Sequence, residues 1–426
     1  MHRRTLFKAA GLAGVASVPI VAAGCSSGSS STGGSPTAAG SPDGTASGEV
    51  SYWLWQDDAT DTTWQNLADE FNESQDRINV TLQVTPLAQY QDQLVSALSS
   101  GIGPDACRFK DWWLGQLVAQ NAIEPLDELV NAWAGREDVV EGLWATGQVP
   151  GDDTIYMLPH QFVTIYMYYR KSYFEQIGMD APTSHEDVLE ACRRLTDAGQ
   201  NRYGLDVRGG AGGQDQWAAW MFSGGARMVD DAGEIVINDQ RAVSVNQDYL
   251  DIESSLHAAP PGSITAAFAQ VTANFQGGQT GMLIHHPGSL AGMREALGDD
   301  LGVIRMPGDG PTLGTMSGNV VLSSSQNKEA AWEWISWLST REPMLTMSKS
   351  PQGQLPVLQS SREDPHYQDE ALQVALTAQE TAVSWPALPG TGTVANATWS
   401  PTIQSAFLGE ITSQEMLDRL AADMGS

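Results

Sequence analysis

Short β-rich runs, each followed by an amphipathic helical stripe, constrain the fold of this chain more than any other feature. Glu49–Trp55 is an apolar run, and behind the cap candidates Asp61 and Thr62 the residues Trp64, Leu67, Ala68 and Phe71 fall at i, i+3, i+4 and i+7. Ile78, Val80, Leu82 and Val84 alternate as a half-buried strand does. Tyr90, Leu94, Val95 and Leu98 then mark a helix that stops at Gly101. Residues 105–109 read as strand and Leu114, Leu117 and Val118 as helix. The pattern restarts with the β-rich run Val163–Tyr169, capping-box spacing from Thr183 to Glu186, and the stripe Val188, Leu189, Cys192 and Leu195. Further strands are expected at 203–207, 281–285, 302–305 and 319–323. Strands alternating with helices predict an α/β fold with parallel sheets and right-handed crossovers. A single core stops growing at roughly 250–300 residues, so 426 residues predict two lobes.

The N-terminus reads differently. Arg3, Arg4 and Lys8 precede the uncharged stretch 9–24, which ends in Ala22-Ala23-Gly24-Cys25. A basic head, a short apolar run and a small-residue end describe an export signal over residues 1–24. The paired arginines resemble a twin-arginine signal with its aromatic, Phe7, one position late. The final four residues resemble a bacterial lipobox with Ala22 where leucine is usual, and that resemblance implies a lipid on Cys25; ordinary cleavage near Ala23 is the alternative. Residues 25–48, dominated by Ser, Gly, Thr, Ala and Pro, hold too little apolar surface to fold and read as a flexible tether.

Charge and motif content exclude several functions. With 22 basic and 51 acidic residues the formal charge is −29, and five lysines cannot build the basic stripe that nucleic-acid binding rewards. Walker, His-Glu-x-x-His, Gly-x-Ser-x-Gly and Cys-x-x-Cys motifs are absent, so no catalytic residue, metal or cofactor is assigned. The acidic residues offer too many carboxylate pairs for their number to argue for or against glycosidase chemistry. Gly209, Gly210, Gly212 and Gly213 lack dinucleotide-fingerprint spacing and read as a mobile loop. His285 and His286, as strand neighbours, are expected on opposite faces, with at most one toward a ligand. Cys107 and Cys192 read as buried free thiols, with a bridge between them in an oxidising compartment as the alternative.

Tryptophan is abundant, with 14 residues. Trp64 and Trp334 lie on helical stripes and read as packing. Trp112, Trp113, Trp217, Trp220, Trp385 and Trp399 adjoin Gly, Pro or polar loop sequence, where a large ring needs cover. Indole faces suit the C–H faces of sugar rings, while Asp, Asn, Gln and His suit sugar hydroxyls. The combination points to a neutral polar ligand.

Four segments carry a resemblance to the extracellular solute-binding proteins of carbohydrate ABC importers, the maltodextrin-binding-like family, over about residues 50–424. Residues 165–174, continuing through Gly178, Pro182 and Thr183, resemble the family's tyrosine-rich strand and helix start, with Ser184-His185 where a tryptophan is usual. Residues 277–287 resemble the segment that lays a strand end beside the ligand, with Gly281 for alanine and Gly288 where a stacking tryptophan often stands. Residues 319–338, with Asn327-Lys328-Glu329-Ala330-Ala331-Trp332, resemble its later strand and helix, and Phe407-Leu408-Gly409-Glu410, followed by Met416 and Leu417, its C-terminal helix pair.

The resemblance implies a two-lobed periplasmic-binding-protein-like fold of type II, with a ligand cleft between lobes joined by crossing hinge segments. Lobe one is expected at 49–159 plus 315–356 and lobe two at 160–314 plus 357–426, with crossings near 158–162, 306–314 and 354–359. Closure about the hinges presents both lobes to a permease. Strand ends then nominate Gln56, Asp57, Asp58, Lys110, Asp111, Trp112, His160 and Gln161 in the first half of the chain. Asp215, Trp217, Trp220, His285, His286, Trp385 and Trp399 are expected from lobe two, with Ser317, Asn319 and Gln352 from the returning segment. The implied function is a monomeric, lipid-anchored, non-enzymatic receptor on the outer face of the cell membrane. It would deliver a neutral mono- or oligosaccharide to the permease subunits of an ABC importer. The competing readings are a secreted glycan-active enzyme, or the same fold taking a glycerophosphate or a polyamine.

Overall fold

In the computed structural model, residues 45–56, 60–350 and 353–425 are described. The expected signal, lipidated Cys25 and most of the tether lie outside them, as do Asp57, Asp58 and Gln352. The last three tether residues are tied to the body: the carbonyl of Ala46 accepts from the Arg77 guanidinium and the Gly48 amide donates to Arg77 O at 2.9 Å.

Among the described residues ten strands form two sheets: β1 (Gly48–Trp55), β2 (Ile78–Thr85), β3 (Ala106–Lys110), β4 (Leu158–Thr164), β5 (Tyr166–Arg170), β6 (Tyr203–Leu205), β7 (Thr280–His285), β8 (Leu301–Ile304), β9 (Gly314–Val321) and β10 (Leu355–Pro356). The larger sheet has the order β10-β4-β9-β3-β1-β2 and the smaller β6-β7-β5-β8. The β1/β2, β1/β3 and β6/β7 pairs are parallel, while β9 and β5 run antiparallel to their neighbours. The expectation of purely parallel sheets is thus corrected. β9 enters the larger sheet from the smaller one, against the direction of the βα units it joins.

Periodicity placed the helices well. The helix Thr63–Ser74 buries Trp64, Leu67, Ala68 and Phe71 against the larger sheet, and His185–Leu195 buries Val188, Ala191, Cys192 and Leu195. Its capping box sits one residue later than expected: the Ser184 side chain accepts from the Asp187 amide, and the Asp187 carboxylate accepts from Ser184 N. A second box joins Thr412 and Glu415 at the last helix, Ser413–Met424. Cys107 and Cys192 are buried free thiols, both pushed up to about 12 chiefly by burial.

The run read as one strand over Val163–Tyr169 is two, divided at Ile165, because β4 ends in the larger sheet and β5 begins in the smaller. The first change of sheet therefore follows Thr164 rather than falling within 158–162. The second spans 305–313, between β8 and β9. In the third, Leu358 still bridges Val139 and the Ser360 amide donates to Asp138 at 2.9 Å. The smaller sheet's side is reached at Asp369, whose carboxylate lies 2.6 Å from the Arg294 guanidinium.

Candidate functional site

The carboxyl ends of β3, β6 and β7 bring Lys110, Arg208, Asp215, His285 and His286 into one electrostatic neighbourhood. Open α/β sheets place ligands outside the carboxyl ends of their strands. From β3 comes Lys110, whose ammonium lies 5.5 Å from the Trp55 ring centre. Its charge is felt on the other side, where it opposes the burial that raises the Asp215 pKa and adds to the burial that lowers that of His286.

Arg208, just past β6, is the central cation. Its Nε and Nη2 donate to the Ala211 carbonyl at 3.1 and 2.8 Å, and Nη1 lies 3.4 Å from His285 Nε2. Among the described residues no carboxylate reaches it within ion-pair distance; burial lowers its pKa to about 10, and Asp215 heads the charges acting the other way. The residue stays cationic at neutral pH. Its φ of +30° is a strained backbone for an arginine, of the kind that collects at functional sites.

Asp215 lies in the first turn of the helix Gly213–Ser223, where a carboxylate suits the helix dipole. Burial raises its pKa, opposed by Lys110 and Arg208, and its Oδ1 is buried with no hydrogen-bond partner among the described residues. The indole of Trp385 lies beside it.

The two histidines correct the opposite-faces expectation. β7 ends at His285, so strand alternation does not reach His286, and the ring centres lie 4.4 Å apart. His286 Nδ1 accepts from the Gly288 amide at 3.1 Å, which leaves the ring proton on Nε2 as a donor. Burial, then Arg208 and Lys110, hold its pKa down to about 3, so the ring is neutral. Phe268, at the start of the helix Phe268–Gln276, lies over both rings at 5.1 and 6.3 Å while remaining 47% exposed. It is the exposed aromatic at this site.

The remaining nominated residues divide by placement. Gln56 is half-buried and donates to Asp61 O at 2.6 Å, which ties it to its own turn. Both oxygens of Asp111 serve the main chain, accepting from Trp112 N at 3.0 Å and Met316 N at 2.9 Å; burial raises its pKa to about 6. His160, Gln161 and Asn319 lie inside the larger sheet's core: His160 beside Trp64, Gln161 accepting from Arg108 at 3.0 Å, and Asn319 accepting from the Tyr52 hydroxyl. Ser317 is buried on β9 opposite Lys110 and Gln161.

The expected indole platforms are interior. Trp217 donates to Asn246 Oδ1 at 2.7 Å and Trp220 to Val245 O at 3.0 Å, under a stacked His185. Trp399 packs against Gly213 and Trp217, and Trp112 against Trp113; Trp112 and Trp385 are at most 5% exposed. A ring in loop sequence found its cover from other elements rather than from a ligand.

The glycine cluster lies tightly against other backbone. A Cβ on Gly209 would stand 2.1 Å from Ile264 O, and on Gly210 2.5 Å from Thr265 O. These residues are glycine because other backbone passes there. Sequence reasoning missed Arg208, although the glycines beside it were its signal, and missed Phe268, which looks like any helical apolar residue. Among the described residues no group of three or more His, Cys, Asp or Glu side chains is placed to hold a metal.

The family model for "bacterial extracellular solute-binding protein" matches residues 56–344, more than half of the chain. The chain belongs to the bacterial extracellular solute-binding proteins. Within this family the erythritol/L-threitol-binding protein of Mycolicibacterium smegmatis is 26% identical over 382 residues, covering 81% of this chain and 78% of the relative. A solute-binding protein of an ABC transporter from Thermotoga lettingae, solved with alpha-D-tagatose, superposes with a TM-score of 0.78 at 22% identity, covering 89% of this chain and 99% of the other. One from Agrobacterium radiobacter K84, solved with ribitol, gives 0.76 at 19%, covering 88% and 98%. The fold is accordingly the two-lobed type II periplasmic-binding-protein fold, with the family's cleft between lobes joined by crossing segments.

Proposed function

We propose that the protein is an extracytoplasmic receptor that captures a neutral mono- or oligosaccharide, or a related polyol, and hands it unchanged to an ABC permease. The observation that supports this reading is that Arg208 and Asp215 lie near enough for each charge to act on the other without forming an ion pair. A guanidinium only donates hydrogen bonds and an ionised carboxylate only accepts them. A ligand group lying between them has to accept from one and donate to the other. Hydroxyls do both. An ammonium has no lone pair for Arg208, which disfavours the polyamine reading, whereas a glycerophosphate has both hydroxyls and phosphate oxygens and is distinguished by experiment. Phe268 supplies an apolar face beside these groups, and the Nε2–H of His286 a further donor.

The ligands of the M. smegmatis, T. lettingae and A. radiobacter proteins, a tetritol, a ketohexose and a pentitol, are all uncharged and hydroxyl-rich. Lys110 ends β3 of the larger sheet and Asp215 opens the helix that follows β6 of the smaller one, so a ligand touching both favours the closed arrangement over the open one, as hinge closure requires. The lipobox-like end of the signal supports anchoring through Cys25, which keeps the monomeric receptor at the outer face of the membrane.

A thermal-shift screen against neutral sugars, polyols, sugar phosphates and polyamines tests the reading, because a ligand that binds the native state raises the melting temperature by mass action. A neutral compound is expected to give the largest shift and to be recovered intact by chromatography. Shifts confined to phosphates or polyamines would replace the ligand class, and turnover would establish an enzyme. Anchoring is tested by Cys25→Ala, which is expected to release the protein into the medium.

A further inference from the structure

We propose that Arg208 is the specificity-determining hydrogen-bond donor of the ligand site, and that Gly212 and the His285–Ser289 pair position it. The inference rests on the sugar-receptor reading and assigns the selectivity of that site to one side chain with a dedicated support. Three observations converge on it. The first is space. Gly212 has φ +81°, and a Cβ there would stand 2.1 Å from Arg208 Nη2 and 2.7 Å from its Cζ. The glycine thus vacates the volume that the guanidinium occupies. At Gly213 a Cβ would stand 1.7 Å from the Arg208 carbonyl, so the backbone is gripped as well.

The second is direction. The Ala211 carbonyl takes Nε–H and one Nη2–H, and His285 faces Nη1. An arginine has five N–H donors, so two remain for a ligand. The third is the relay. Arg208 can only donate, so His285 Nε2 accepts and its proton sits on Nδ1, 3.0 Å from Ser289 Oγ. His285 is 1% exposed, and beside the arginine and the serine its ring meets those of Phe268 and His286. A fixed donor fork rewards an adjacent oxygen pair of the right spacing and leaves a buried N–H unpaired when a deoxy ligand arrives, which is the strong form of discrimination.

The test uses the full-length protein with erythritol, ribitol, D-tagatose and maltotriose as probes, wild type and variants being screened in parallel. For the probe that stabilises wild type most, Arg208→Gln and Gly212→Ala are expected to weaken binding at least about tenfold. His285→Leu is expected to do the same. His285→Gln, whose amide oxygen still accepts from Arg208, is expected to stay within about threefold of wild type. Long-range 1H–15N spectra of the ligand-free protein are expected to show the His285 proton on Nδ1, and to lose that signature in Arg208→Gln.

Equal affinity of wild type and a folded Arg208→Gln overturns the donor role while the receptor reading stands. A His285 proton on Nε2 overturns the positioning relay. Silence of all four probes with wild type removes the sugar reading of the site and the role of Arg208 with it, and the histidine spectra then report on the relay alone.

Discussion

The indole Nε1 of Trp217 donates to Oδ1 of Asn246 at 2.7 Å, deep in the helices behind the smaller sheet. Asn246 in turn donates to Ser413 Oγ at 3.0 Å, and Ser413 to Val243 O at 2.8 Å, so one chain of hydrogen bonds ties three helices together. Trp217→Phe keeps a ring but strands a buried acceptor, with an expected loss of about 1–3 kcal/mol of stability. Ligand affinity is expected to be unchanged. Denaturant unfolding and titration calorimetry check the pair of outcomes; weakened binding at unaltered stability would return Trp217 to the ligand site.

Phe268 makes the converse prediction. At 47% exposure its ring contributes little to the native core, so Phe268→Ala is expected to change stability by no more than about 0.5 kcal/mol. Covering the ring with a ligand is worth on the order of 1–2 kcal/mol, so affinity is expected to fall roughly tenfold. Calorimetry with the best ligand of the screen decides, and an unaltered dissociation constant would remove the ring from the site.

Asp111 joins the end of β3 to β9 by accepting from Met316 N, and the Ser384 side chain adds a further hydrogen bond. Asp111→Ala is expected to cost about 1–3 kcal/mol, because the buried Met316 amide loses its partner. Asp111→Asn is expected to recover part of that loss through its remaining carbonyl oxygen. Equal stability of all three proteins in urea would show that the clamp contributes nothing.

Buried histidines set an acid limit. Burial, with Arg241 adding, holds His185 at about 4 against 6.5 for the free side chain, while its ring stacks on Trp220 at 3.6 Å. Between these values the unfolded chain takes up a proton that the native one refuses. The contribution is therefore present above pH 6.5 and is lost as the pH falls toward 4. His160 and His286, both held at about 3, act in the same sense. Asp111, raised from 3.8 to about 6, acts oppositely: its contribution is present below 3.8 and is lost as the pH rises through 6. In His185→Gln the slope of stability against pH is expected to be shallower between 4 and 6.5. Urea midpoints across that window check this, and a slope identical to wild type would refute the assignment.

The helices and most strands were legible in the sequence because each follows a local period. The stripe Trp64, Leu67, Ala68 and Phe71 is buried as its spacing requires, and Ile78, Val80 and Leu82 grade outward to an exposed Val84 at the sheet edge. The break at Ile165 was not legible. Two strands in different sheets share one continuous β-rich run, and only their partners, β9 on one side and β7 with β8 on the other, separate them.

For the candidate site the boundary is sharper. Strand-end reasoning nominated Lys110, Asp215, His285 and His286, which share one electrostatic neighbourhood with Arg208. It also nominated His160, Asn319 and Trp217, which are interior, since residue type and loop context say nothing about which element arrives to cover a side chain. Composition and local period dictated an acidic α/β chain, because those properties reside in neighbouring residues. Which indole is buried, which ring stays bare at Phe268 and which side chains gather around Arg208 depend on contacts between residues tens to hundreds of positions apart. Packing settles such contacts, and no local pattern encodes them.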